Sequence, residues 1–214
     1  MNDFEIKTGR RNFLIGAVLG AAGLGVSGRV YAAVAKKPLP PFDLGFLSGV
    51  VTLRRRGDWT SEQPKVWMLR EGGVFDRITV HHEGGALSTV RDKTAVAAEI
   101  DSVYAGHRSR NYADIAYHFI IDRGGCVWEG RSLAYEGAHV SHQNKNNLGI
   151  LVLGNYEKQN PTPESLKALK AMVLSFRKRF GIKHHRVYGH RDLGASLCPG
   201  TKLYPHVAAM RNGR

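Results

Sequence analysis

The 214-residue chain carries 31 Lys+Arg against 18 Asp+Glu, with 10 His, 2 Cys and 43% hydrophobic residues. Ordinary apolar content and a charged fraction of 23% exclude a disordered or fibrous chain, and two cysteines exclude a disulfide-built scaffold. The length suits one globular domain with an extension, and the net charge of +13 favours a polyanionic partner such as nucleic acid, a membrane surface or an anionic wall polymer.

Arg10 and Arg11 stand just before Phe13-Leu14-Ile15, and an uncharged Ala/Gly/Leu/Val run continues to about Val26. A basic start, an apolar stretch and the small-x-small pattern Ala33-Val34-Ala35 read as an export signal over residues 1–35. The paired arginines resemble a twin-arginine signal, which implies a periplasmic or secreted protein. The run is shorter and richer in Gly than the ~20 apolar residues a spanning helix needs, so no stable membrane span is expected after processing. Without that segment, residues 36–214 keep 27 Lys+Arg against 16 Asp+Glu, so the basic character belongs to the domain itself.

Residues 36–41 (KKPLPP) read as an extended linker, because each Pro disfavours helix for the residue before it. Residues 42–214 then form one domain. Short β-branched or apolar runs predict strands at 77–81, 116–122, 126–129, 148–153 and 187–190, with Gly124-Gly125 turning the second into the third as a hairpin. The run at 148–153 is apolar on successive residues, as in a strand covered on both faces. Helices are predicted over 89–105, from Thr162 as N-cap to Gly181 as terminator, and over 204–211. Strands interleaved with helices give an α/β fold: a single domain with a central mixed β-sheet flanked by helices.

Three separated places carry chemistry. Val80-His81-His82-Glu83-Gly84-Gly85 ends a predicted strand, Tyr117-His118-Phe119 lies in the next, and Gly189-His190-Arg191-Asp192 precedes Cys198-Pro199-Gly200. One His of the first pair with His190 and Cys198 makes an N,N,S set of the kind zinc accepts, leaving one tetrahedral position free. Neighbouring strand residues point to opposite faces, so one of His81 and His82 serves such a site and the other does not.

The wording and order of these motifs resemble the zinc amidases of the peptidoglycan recognition protein family, to which phage lysozyme-type amidases are related. The matching stretches are VHH, YHFIID with WEGR, GAH before NLGI, and GHRD before CPG, and they extend from about Trp59 through Pro199. Arg56-Gly57-Asp58-Trp59 is similar to the family's Arg-x-x-Trp entry. The resemblance implies N-acetylmuramoyl-L-alanine amidase activity with one zinc ion held by His81, His190 and Cys198. It implies Tyr117 as a catalytic hydroxyl and Ser196, where the family carries Thr or Lys, as a second hydroxyl stabilising the oxyanion. His139 and Asn144 are implied to line the peptide groove, and Asp192 is a candidate to hold the second ring nitrogen of His190. Some related bacterial amidases carry a Glu base where this chain has Leu151, so the tyrosine-type arrangement is the better match. Arg131 and Arg191 are candidates for stem-peptide carboxylates or for internal pairing.

The expected partner is peptidoglycan or its muropeptides, bound by a monomer. The alternative function is a catalytically silent peptidoglycan-binding module, against which an intact Cys198 counts. A nucleic-acid binder is disfavoured, since the chain has no zinc-finger spacing and no aromatic-basic run, and its leader directs it to export. Cys126 reads as a buried free thiol, and a bridge to Cys198 would destroy the metal set.

Overall fold

The computed structural model describes Leu39 and residues 41–214; the expected export signal and all of the linker but Leu39 and Pro41 lie outside the described residues. Six strands form one sheet in the order β1-β4-β3-β5-β2-β6, where β1 is Leu53–Arg54, β2 Arg77–His82, β3 Phe119–Ile121, β4 Val127–Glu129, β5 Asn147–Val152 and β6 Val187–Gly189. Only β3 and β4 run antiparallel, through the Gly124-Gly125 turn, so the sheet is mixed as predicted. Gly125 sits at φ +81°, and a Cβ there would meet the Glu164 carbonyl oxygen at 2.7 Å, so glycine is required at this turn. The two-residue β1 has no periodicity to betray it and was not expected from sequence.

Helices cover both faces. Helix α2 (Pro163–Phe180) and α3 (Tyr204–Arg211) pack on one side through Leu169, Met172, Val173, Phe176, Val207 and Met210. Helix α1 (Lys93–Ser109) covers the other side with Val96, Ile100 and Tyr104 against Ile120, Trp128, Leu151 and Leu153. Strand β5 is buried along its whole length, with Leu148, Ile150 and Val152 facing α2 and Leu151 facing α1. Helix α2 runs between its predicted ends: the Thr162 hydroxyl accepts from the Ser165 N–H, and Gly181 closes it at φ +69°. Helix α1 begins four residues later than predicted. Asp92 caps it by accepting from the N–H groups of Thr94 and Ala95, and the helix continues past Ala105 to Ser109.

The Arg-x-x-Trp stretch is structural. Arg56 pairs with the buried Asp114 carboxylate at 2.9 Å and lies over the Trp59 ring at 5.0 Å, while the Trp59 indole donates to the Glu129 carbonyl. Among the described residues, no helix is long and apolar enough to cross a membrane.

Candidate metal centre and cleft

Alternation along β2 sends Ile78 and Val80 into the α2-side core and turns His81 to the other side, towards Tyr117 and His139. His82 points the opposite way, where its Nδ1 accepts the Tyr156 N–H at 3.1 Å. The loop after β6 brings His190 and Cys198 to the end of β2. One donor atom each from His81, His190 and Cys198 lies within 4.8 Å of the others, and the His81 and His190 rings are 4.8 Å apart. Cys198 Sγ stands 3.6 Å from His81 Nδ1 and accepts the His82 backbone N–H at 3.3 Å. Burial pushes the Cys198 thiol up to about 12 and holds the His81 and His190 imidazoles below their usual range, so both rings are neutral, the form that can ligate a metal.

A chain of hydrogen bonds fixes which nitrogen of His81 is free. The Asn147 carbonyl lies 3.1 Å from His139 Nε2 and can only accept, so His139 carries its proton there. His139 Nδ1 is then an acceptor, and at 3.0 Å it takes the Nε2–H of His81. His81 Nδ1 therefore presents a bare lone pair towards Cys198 and His190. This is the donor chemistry that a divalent cation of zinc type requires, and the three residues fit such an ion.

His139 is thus placed differently from the groove position expected for it. Its ring is buried at 7% exposure and slotted between two glycines: a Cβ on Gly137 or on Gly149 would come within 2.4 Å of its Cδ2. Asn144 Oδ1 accepts the backbone N–H groups of His139 and Val140, which seats the slot from the other end. Asn144 also lines an open cavity of about 440 Å³ together with Arg70, Arg110, Tyr112 and Glu136.

Tyr117 precedes β3 and its ring centroid is 5.1 Å from that of His81. Its hydroxyl makes no hydrogen bond to any described residue, and burial raises its pKa, so the phenol keeps its proton. With Glu83, His107 and Arg110 it lines a second cavity of about 200 Å³, and Arg110 borders both cavities. Glu83 faces Glu99, and burial with that like charge pushes its carboxyl up to about 7. Ser196 Oγ accepts the Cys198 N–H at 3.1 Å, which stiffens the Cys198 loop and leaves the hydroxyl proton free to donate.

Other expected roles change. Asp192 does not touch the second nitrogen of His190: its oxygens take the Gly189 N–H, the Tyr204 hydroxyl and the Arg211 guanidinium. Arg131 is buried and spends its donors on the carbonyls of Ile115, Glu136 and Asp114, while Arg191 pairs with Glu157 and the Leu197 carbonyl. Internal pairing accounts for both arginines. Cys126 and Cys198 are both free thiols.

Comparison with known proteins agrees with this architecture. Peptidoglycan-recognition protein SC2 of Drosophila melanogaster is 33% identical over 135 residues, covering 62% of this chain and 72% of its own. A human N-acetylmuramoyl-L-alanine amidase is 29% identical over 191 residues, covering 83% of this chain but 32% of its own length. The crystal structure of Drosophila peptidoglycan recognition protein SD superposes with a TM-score of 0.66 at 26% identity, over 72% of this chain and 92% of that one. The amidase LysC of Clostridium intestinale shares the fold with a TM-score of 0.59 at 21% identity, over 75% of this chain and 97% of that one. Residues 71–201 match the Amidase_2 family model, described as N-acetylmuramoyl-L-alanine amidase, and they hold every motif from the strand-end histidines to Cys198. The chain belongs to that amidase family.

Proposed function

We propose that this protein is an exported zinc amidase that cleaves the amide between the lactyl group of N-acetylmuramic acid and L-alanine in peptidoglycan. The observation that carries the reading is the meeting of His81, His190 and Cys198 within 4.8 Å, beside the Tyr117 ring, whose hydroxyl has no hydrogen-bond partner among the described residues. A silent binding module would need neither the full N,N,S set nor the bonds that aim His81 Nδ1. Zinc held by these three residues would supply Lewis acidity and a water acidified from about 15.7 towards 7.

The chain's own groups do the rest. The Tyr117 phenol, protonated throughout the neutral range, donates to the amide oxygen as negative charge develops on it. The Ser196 proton is available for the same oxygen. The stem peptide would extend from Tyr117 past Arg110 into the larger cavity, where Arg70 and Arg110 suit its carboxylates. A solved complex of peptidoglycan recognition proteins LCa and LCx, similar in fold to this chain, holds tracheal cytotoxin, in keeping with a muropeptide ligand for this groove. Mass spectrometry of muropeptides digested by the zinc-loaded domain tests the reading: separated glycan and peptide products are expected, and intact muropeptide would leave a binding module.

His139 acts through His81 as a positioning residue. His139→Ala is expected to weaken zinc binding by about 10–100-fold, the usual cost of removing a group that orients a ligand. Competition against a chelator reads this without any turnover assay, and unchanged affinity would reduce His139 to packing. The leader at residues 1–35 gives a separate expectation. Arg10→Lys with Arg11→Lys should leave precursor in the cytoplasm, seen by fractionation, whereas normal export would point to another route.

A further inference from the structure

Charge is divided unevenly along the chain. Residues 41–162 hold 14 Lys+Arg and 14 Asp+Glu, whereas residues 163–214 hold 11 Lys+Arg and only two acids, Glu164 and Asp192. The whole positive excess of residues 41–214 therefore comes from the last 52 of them. Within that stretch α2 and α3 lie together, packed on the sheet face opposite α1. Both acids are already engaged there, Glu164 with Arg91 at 3.8 Å and Asp192 with Arg211 at 2.8 Å.

Among the described residues, Lys167, Lys170, Arg177, Lys178, Lys183 and Arg214 have no carboxylate within 4.0 Å. Helical spacing puts Lys167, Lys170, Arg177 and Lys178 on one outward stripe, and Leu174 stands among them 51% exposed. Beside the stripe lie two shallow cavities of about 170 and 140 Å³ between α2 and α3. They share Lys170 and Arg214 at the rim and Met210 in the wall, with Leu166 in one and Val173 and Leu174 in the other.

We propose that this α2–α3 face docks on an anionic phospholipid bilayer. Headgroup phosphates would meet Lys170, Arg177 and Arg214, and Leu174 would enter the boundary between headgroups and acyl chains. Clustered Lys and Arg draw a protein to an anionic leaflet, and an apolar side chain among them adds burial. A soluble polyanion would use the cations but gain nothing from an exposed Leu, which is why a bilayer fits better. Docked in this way, the domain keeps the Tyr117 side of the sheet turned from the lipid.

Vesicle co-sedimentation of residues 36–214 tests the proposal. This piece holds both cores, and the solved relative named above consists of the same domain over 92% of its chain. Binding is expected to be at least about tenfold stronger to phosphatidylcholine vesicles containing phosphatidylglycerol than to phosphatidylcholine alone, and to be lost at high salt. Lys170→Glu with Arg214→Glu should cut it by at least about tenfold with the thermal midpoint kept. Leu174→Ser, which leaves charge intact, should weaken it by several-fold. Equal binding to both vesicle types, or binding indifferent to the charge reversal, overturns the proposal. If Leu174→Ser has no effect and soluble polyglycerol phosphate binds as tightly as the vesicles, the face is a polyanion site and the bilayer is ruled out. None of these readouts depends on amide cleavage.

Discussion

Purified His81→Ala protein is expected to contain no stoichiometric zinc and to give no measurable muropeptide cleavage, while His82→Ala keeps both. The two residues are neighbours in sequence, yet β2 turns them to opposite faces. His81 offers Nδ1 to the site, with its other nitrogen bonded to His139. His82 instead accepts a backbone N–H from Tyr156 inside the α2-side core. Removing the His82 ring leaves that buried N–H without a partner, a cost of about 1–3 kcal/mol that lowers the thermal midpoint without touching the metal. Removing His81 leaves two ligands on a cation that needs at least three from the protein for a catalytic site. Zinc content, thermal midpoint and turnover on the two variants decide the matter, and a reversed pattern would exchange the roles. His190→Ala should behave like His81→Ala, and equal metal content in it and the wild type would remove His190 from the ligand set.

Local signals in the sequence carried much of this architecture. The ends of α2 follow from a hydroxyl cap, a first-turn Pro and a terminal Gly, all of which act within a few residues. The mixed sheet follows from a Gly-Gly hairpin set among otherwise parallel strands. The opposite orientation of His81 and His82 follows from the period of a strand. What stayed hidden depends on distance. His139 lies 58 residues from His81 in sequence, and its ring is aimed by contacts with Gly137 and Gly149 that no periodicity reveals. Those glycines were the available signal, since each stands where a side chain would collide with the ring. Asp192 misled for a related reason: it is beside His190 in sequence, but the turn points it at Gly189, Tyr204 and Arg211. The charge division was countable from sequence, whereas its concentration on one face needed α2 and α3 to share a side of the sheet.

Tyr117→Phe is expected to lower turnover by about 10²–10³, the size of effect found when one oxyanion donor is removed. The phenylalanine ring preserves nearly all of the volume and apolar contact, so packing should hold. The Tyr117 hydroxyl has no partner among the described residues, so its loss strands no buried donor or acceptor. Burial keeps the phenol protonated, which makes it a donor to developing charge and a poor base. Zinc content should therefore stay at the wild-type level, and the change should fall on kcat with KM little altered, because the bond forms fully only in the transition state. Cys198→Ser provides the contrast, with metal and turnover expected to fall together. Near-wild-type turnover in zinc-loaded Tyr117→Phe would make Tyr117 a packing residue. The acid-base question would then move to Glu83, which lines the same cavity, or to Ser196, and Glu83→Gln or Ser196→Ala would show the larger loss.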